Sequence, residues 1–122
     1  MEERTLTITL NPDWRTALRM AGTLAKADTY QGERLNFESV GALFGRLTER
    51  RWILVRMLMG AGELSVRELA RRIGRDVKRV HEDVTALTQL GLVERTERGG
   101  VLCPYVSIHI DLQLSAEPLQ AA

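Results

Sequence analysis

The chain has 122 residues and a net charge of +1, with 44% hydrophobic and 27% charged residues, which is typical of one globular domain. No apolar run approaches the roughly 20 residues of a membrane span, and the first residues lack the pattern of a secretory signal. A single cysteine excludes an internal disulfide, so we expect a cytoplasmic protein that does not bind a membrane.

The first predicted element is a half-buried strand over residues 5–10, where polar and apolar residues alternate. Asn11 as N-cap and Pro12 in the first turn predict a helix that runs to about Asp28. Residues 29–36 are predicted to form a loop. The predicted apolar face of the helix consists of Trp14, Ala17, Leu18, Ala21, Leu24 and Ala25.

Two further helices are predicted in the middle of the chain. The first is short, and Thr48 caps the second, which runs to about Met59 and ends at the glycines that follow. The residues expected to face inward on the short helix are Val40, Leu43, Phe44 and Leu47. The apolar residues of the second helix are Trp52, Ile53, Val55, Leu58 and Met59.

The next two predicted helices are joined by a glycine turn. Ser65 and Glu68 have the spacing of a capping box, in which each side chain bonds the backbone amide of the other residue. Gly74 ends the first helix, Asp76 caps the second, and Gly91 stops it. The residues expected to be buried are Val66, Leu69, Ala70, Ile73, Val77, Val80, Val84 and Leu87.

Strands are predicted after the last helix. Residues 92–97 and 101–105 flank a glycine-rich turn and predict the two arms of a hairpin. Residues 106–114 alternate apolar and polar, which predicts a second half-buried strand and a candidate partner for strand 5–10. Residues 115–122 are predicted to be a flexible tail.

Positive charge is concentrated in the centre of the chain. Residues 46–80 hold ten basic and four acidic residues and carry +6, whereas the remaining residues carry −5. Fifteen of the 17 basic residues are arginine, whose planar guanidinium binds phosphates, guanine edges and carboxylates. The central segment is therefore a candidate for contact with a polyanion.

Three helices followed by a hairpin, with two helices joined by a tight turn, is the order of a winged helix-turn-helix. Residues 64–70, 74–84 and 90–95 resemble winged-helix transcriptional regulators, and are most similar to small DNA-binding proteins that include antitoxins paired with TumE-type toxins. Arg75 and Asp83 depart from the general pattern, in which apolar residues are usual at both positions.

We therefore expect an α+β fold with a winged helix-turn-helix, consisting of a three-helix core and a β-hairpin wing. The resemblance covers residues 37–114, including a C-terminal strand, and it covers the N-terminal third only loosely. Residues 1–36 are expected to supply a strand and a helix for dimerisation or for contact with a partner.

The second helix of such a motif enters the DNA major groove with its first turns. The residues predicted to read bases are Arg75, Lys78, Arg79, Glu82 and Thr85. The residues predicted to bind phosphates are Arg67, Arg71, Arg72, Arg95 and Arg98. An alternative explanation is that Lys78–Glu82 and Arg79–Asp83, both spaced i,i+4, are ordinary surface ion pairs.

Catalytic and metal-binding motifs are not evident. Cys103 lacks a second cysteine or histidine at ligand spacing, and the sequence holds no P-loop, nucleophile elbow or dinucleotide fingerprint. We therefore expect no enzyme activity, no metal and no cofactor. The resemblance implies a homodimeric, sequence-specific regulator that binds double-stranded DNA, and further an autorepressing antitoxin with a toxin partner. The alternative is a protein-interaction module whose winged helix is structural and whose N-terminal segment docks a partner.

Overall fold

The computed structural model describes residues 3–25, 30–114 and 116, and within them it has an α+β fold with five helices and two sheets. The predicted α+β class is confirmed. The elements are β1 (Arg4–Leu10), α1 (Trp14–Ala25), β2 (Glu33–Phe37), α2 (Val40–Arg46), α3 (Glu49–Leu58), α4 (Val66–Ile73), α5 (Val77–Leu90), β3 (Glu94–Arg95), β4 (Val101–Leu102) and β5 (Tyr105–Asp111). No helix in these ranges is long and apolar enough to cross a membrane.

Some predictions lie outside the described residues. These are the end of the first helix beyond residue 25 and almost all of the predicted tail. The side chains of Trp14, Ala17, Leu24 and Ala25 are likewise not described.

The larger sheet is parallel and has the strand order β2-β1-β5. The predicted pairing of strand 5–10 with the C-terminal strand is confirmed, with Leu6 opposite Ile108. The prediction of a loop over residues 29–36 is wrong for residues 33–36, which belong to β2. This segment has only five residues and two apolar side chains, Leu35 and Phe37, and it forms a strand by pairing with β1, for example Ile8 opposite Leu35.

Arg4 connects this sheet to the hairpin. Its Nε donates to Glu33 Oε2 at 2.9 Å, and its Nη1 donates to Glu94 Oε1 at 3.0 Å. The guanidinium also lies 5.2 Å from the ring centroid of Tyr105, whose hydroxyl donates to the carbonyl of Gly91 at 3.3 Å. The hydrogen bond from Arg4 lowers the pKa of Glu33 below its ordinary value.

The predicted N-caps of α4 and α5 and the glycine turn between these helices are confirmed. Ser65 Oγ accepts from the amide of Glu68 at 3.0 Å, and Asp76 Oδ2 accepts from the amide of Arg79 at 3.3 Å. Gly74 has a φ of 69°, and its amide bonds the carbonyls of Ala70 and Arg71. A left-handed residue at this position favours glycine, which explains why the chain can turn directly from α4 into α5.

Two predictions about helix starts are corrected. The cap of α1 is Asp13, whose Oδ1 accepts from the amides of Arg15 and Thr16 at 3.1 and 3.3 Å, while Asn11 bonds the amide of Asp13. The capping box at α4 is formed on one side: the carboxylate of Glu68 bonds arginines further along its own helix. A nearby guanidinium is a stronger donor to a carboxylate than a neutral amide is.

One apolar core joins the sheet to the helices. Leu43 and Leu47 are buried as predicted, whereas Phe44 is 55% exposed and Leu18 is 65% exposed. The predictions that Val40, Phe44 and Val77 face inward are wrong. Leu18 and Ile53, which belong to the predicted apolar faces of their helices, are also exposed. The fully buried large side chains are Ile8, Leu43, Leu47, Leu54, Leu58, Leu69, Leu87, Leu92, Val55, Val80, Val84 and Val93.

The hairpin is shorter than predicted, because β3 and β4 have two residues each. Leu64 joins it from the segment before α4, since its amide and carbonyl exchange hydrogen bonds with Val101 at 2.9 and 2.8 Å. This bridge fixes the hairpin beside the start of α4.

Candidate functional site

The first turns of α5 protrude from the helical core. Val80, Val84 and Leu87 are fully buried and anchor the helix against α3 and α4. The residues exposed on its first turns are Asp76, Val77, Lys78, Arg79, His81 and Glu82. Helical periodicity therefore separates a valine and leucine anchor from a mainly polar outer face.

An open cleft lies on each side of this exposed face, and Lys78 lines both. The hairpin cleft is lined by Ser65, Val66, Arg67, Val77, Lys78, His81, Arg95 and Gly99. The α3 cleft is lined by Thr48, Glu49, Arg50, Arg51, Arg75, Asp76, Lys78, Arg79, Glu82 and Asp83. The start of α5 thus forms a ridge between two grooves.

The two clefts differ in charge balance. The residues that line the hairpin cleft include the cations Arg67, Lys78 and Arg95 and no carboxylate. Those that line the α3 cleft include five cations and four carboxylates. Because its positive charge is not offset by acidic lining residues, the hairpin cleft is the better surface for an anion.

Arg75 and Asp83 belong to an internal ion-pair network in the α3 cleft. Arg51 Nε donates to Asp83 Oδ1 at 3.1 Å, and Arg75 Nη2 donates to Asp83 Oδ2 at 2.9 Å. The Asp83 side chain is 17% exposed, so water screens these contacts poorly. This network places Arg75 against the protein and joins α3 to the segment after Gly74 and to α5.

The proposed ion pairs along α5 do not form. Asp83 binds Arg51 and Arg75 instead of Arg79, and among the described residues neither Lys78 nor Arg79 makes a salt bridge. The alternative explanation of these charges as paired surface ions is therefore wrong for both pairs. The two cations at the start of α5 remain available for an external partner.

The arginines of α4 differ in how far they are neutralised. Arg71 and Arg72 both bond the carboxylate of Glu68, and the bond from Arg71 is the main reason why the pKa of Glu68 falls to about 2. Arg67 is exposed and makes no salt bridge within the described part of the chain. Arg67 therefore presents a fuller positive charge than its two neighbours.

Arg95 holds the hairpin close to α5. Its Nη2 donates to Thr85 Oγ1 at 3.0 Å, and Thr85 Oγ1 in turn donates to the carbonyl of His81 at 3.0 Å. The Thr85 hydroxyl is thus engaged within the protein, whereas a guanidinium has further N–H groups to offer. Arg98 is exposed beside the hairpin turn at Gly99.

The structure brings together Arg67, Lys78 and Arg95 and adds five lining residues that were not predicted as site residues: Ser65, Val66, Val77, His81 and Gly99. Val77 is 41% exposed, although its spacing relative to Val80 predicts burial. Val77 is the first residue of α5 and lies beyond the helix contacts that cover Val80. The position of Val77 at the start of the helix is the sequence signal that could have predicted its exposure.

A metal site is not evident here, because no cluster of three or more potential ligand side chains occurs within the residues that the structure describes. Cys103 is half-buried, and burial raises the pKa of its thiol. A thiol with a raised pKa is a poor nucleophile and a poor metal ligand near neutral pH.

The HVO_A0114 family profile matches residues 46–110, more than half of the chain. The chain belongs to the HVO_A0114 family. The HVO_A0114 segment begins at the last residue of α2, contains α3, α4, α5 and the hairpin, and ends within β5. All residues that line the two clefts lie inside it. No curated protein matches the chain.

Proposed function

We propose that this protein is a sequence-specific transcriptional regulator that binds double-stranded DNA through a winged helix-turn-helix. In this assignment α3, α4 and α5 are the three-helix core, α4 and α5 are the helix-turn-helix, and β3 and β4 form the wing. Gly74 makes the turn, and the Leu64 bridge attaches the wing to the start of α4.

The charge of the hairpin cleft carries the proposal. Three cations with no carboxylate line a groove of about 650 Å³ between the start of α5, the start of α4 and the wing. Clustered arginine and lysine side chains are the groups that neutralise DNA phosphates in protein–DNA complexes. An α-helix is about 10–12 Å wide with its side chains, which matches a major groove about 12 Å wide.

The exposed residues of α5 divide into contacts of different kinds. Lys78 and Arg79 are unpaired within the described residues and can donate to guanine O6 and N7. Glu82 is exposed one turn further along and can accept from cytosine N4, and the exposed methyl groups of Val77 suit the thymine methyl. Arg75 and Thr85 are bonded within the protein, so we reassign them from reading bases to positioning α5.

Phosphate contacts come from the flanks of the helix. Arg67 on α4 and Arg95 on the wing line the hairpin cleft beside the α5 ridge, and Arg98 is exposed on the wing. These contacts supply affinity and orientation without sequence information. Arg71 and Arg72 contribute less than Arg67, because Glu68 already binds both guanidinium groups.

Selection of bound duplexes from a randomised pool tests this function. The wild type is expected to enrich one motif. Lys78→Ala or Arg79→Ala should relax the preference at one base pair, with a loss of about 1–3 kcal/mol in binding free energy. Arg34→Ala is the matched control, because Arg34 is exposed on β2 and lines a cleft with Leu90 and Gly91, at the opposite end of α5. No enrichment by the wild type, or equal losses in all three variants, would refute the proposal.

The second candidate is a protein-interaction module. Exposed apolar side chains at the N-terminal end of the molecule favour it, and they include Leu18, Met20, Val40 and Phe44. A toxin encoded beside this gene is the partner class that the antitoxin resemblance suggests. Co-expression with such a neighbour separates the two candidates, because complex formation without any duplex binding supports the interaction module.

A further inference from the structure

Strand β5 forms one edge of the three-stranded sheet. It pairs with β1 on one side, and no described strand pairs with its other side. Apolar side chains are exposed along β5 and the residues that follow it. They are Val106 (56%), Ile110 (41%), Leu112 (36%) and Leu114 (82%). An exposed apolar edge strand is a template for pairing with another chain.

The usual protection of an edge strand is weak here. Between residues 106 and 114 the sequence contains one charged residue, Asp111, and it contains no lysine, arginine or proline. The opposite edge, β2, differs: it carries Glu33 and Arg34, and Arg34 is exposed. Charged side chains on an edge discourage strand addition, so the two edges of the sheet are not equivalent.

We infer that two copies of this chain dimerise by antiparallel pairing of β5, extended by Leu112, about a two-fold axis at Ile110. In this register Ile110 faces its own copy and Ile108 faces Leu112 of the second copy. His109 faces Asp111 of the second copy, and the same pair occurs twice by symmetry. The two three-stranded sheets become one sheet of six strands.

Charge complementarity selects this register. An imidazole N–H donates to a carboxylate, so both His109–Asp111 pairs are favourable across the axis. Moving the axis to His109 places the two imidazoles opposite each other. Moving it to Asp111 places two carboxylates opposite each other, which is unfavourable. The axis at Ile110 avoids both conflicts and keeps apolar residues opposite apolar residues.

A second copy fits this edge because two identical strands, paired antiparallel, place complementary residues opposite each other. A two-fold interface must present the same surface on both subunits, and the sequence from Ile108 to Leu112 satisfies that condition residue by residue. This inference does not rest on DNA binding, since the assembly is measured without DNA.

Sedimentation velocity of the full chain and three variants tests the interface. The wild type is expected to sediment as a dimer, and Ile110→Lys as a folded monomer, because two lysines would meet at the axis. His109→Asp places carboxylates opposite each other twice and should weaken the dimer about tenfold. The reciprocal double variant, His109→Asp with Asp111→His, should restore the wild-type dimer. A monomeric wild type, or a double variant as weak as the single one, would overturn the inference.

Cross-linking supplies a readout that does not depend on destabilising the dimer. In a Cys103→Ser background, Ile110→Cys should form an intermolecular disulfide rapidly under mild oxidation, because the two positions coincide at the axis. Arg34→Cys in the same background places a thiol on the other edge strand, away from the axis, and should form no intermolecular disulfide. Circular dichroism verifies the fold of each variant. Cross-linking at residue 34 but not at residue 110 would place the interface elsewhere and contradict this register.

Discussion

Replacing Asp83 by alanine should destabilise the protein strongly, although this residue lies on the same helix as the exposed cations. Asp83 accepts from Arg51 Nε at 3.1 Å and from Arg75 Nη2 at 2.9 Å. Its removal leaves two guanidinium groups without this partner, and Arg75 Nη1 is already buried without a hydrogen-bond partner. The variant therefore loses ionic hydrogen bonds on both sides of the α3 cleft.

The expected loss is about 2–4 kcal/mol. A hydrogen bond to a charged group contributes roughly 1.5–3 kcal/mol, and breaking a fully buried pair costs about 3–5 kcal/mol. The three side chains here are 17–25% exposed, which reduces both figures. For a chain of this size, each kcal/mol corresponds to roughly 3–5 °C in Tm.

Urea denaturation followed by circular dichroism measures this loss. Arg79→Ala is the matched comparison, because Arg79 is exposed and unpaired within the described residues and should change stability by less than about 0.5 kcal/mol. A double-mutant cycle between Arg51 and Asp83 should give a coupling of about 1–2 kcal/mol. Equal stability of Asp83→Ala and wild type, or additive effects in the cycle, would refute the network as a source of stability.

Three further outcomes are expected. Glu68→Gln should strengthen duplex binding, because it releases Arg71 and Arg72 from a carboxylate; unchanged or weaker binding in a fluorescence anisotropy titration would contradict this. The pKa of Glu33 is lower in the folded state than its unfolded value of about 4.3, so the ionised carboxylate stabilises the fold at neutral pH. Thermal or urea denaturation should therefore show a stability difference between wild type and Glu33→Gln that shrinks as pH falls from 7 to 3. Gly74→Ala should cost about 1 kcal/mol in urea denaturation, because an added Cβ meets no atom within 4 Å but must adopt a φ of 69°.

Local signals in the sequence predicted most helix boundaries. Thr48, Ser65 and Asp76 cap α3, α4 and α5 as expected, and Gly74 and Gly91 end α4 and α5. These predictions succeed because a helix cap and a left-handed glycine depend on hydrogen bonds between residues that lie within four or five positions of each other. The strand pairing of β1 with β5 was also predicted, because both segments alternate polar and apolar residues.

Long-range contacts account for the errors. The β2 strand, Glu33–Phe37, has only five residues and two apolar side chains, and its partner β1 is distant in the sequence. The partner of Asp83 is Arg51, 32 residues away, whereas local spacing pointed to Arg79. The exposure of Phe44 depends on which helix face the sheet covers, and periodicity alone does not determine that choice.

The sequence predicted several residues of the candidate site but not the contacts that these residues make. Arg67, Lys78 and Arg95 were expected to act together, and they line one cleft. The roles of Arg75 and Thr85 changed because their partners come from other elements or from the wing. Val77 and His81 joined the cleft because the start of α5 projects beyond the core that buries Val80.

The salt dependence of duplex binding tests the proposed interface most directly. The three residues assigned to phosphates, Arg67, Arg95 and Arg98, predict that log K falls with log salt at a slope of roughly −3 per protomer, about −0.9 for each phosphate neutralised. Arg67→Ala should make the slope shallower by about 1 unit, and Arg34→Ala should leave it unchanged. Absence of duplex binding at about 50 mM salt, or a slope that Arg67→Ala does not alter, would contradict a DNA-binding surface at the start of α5.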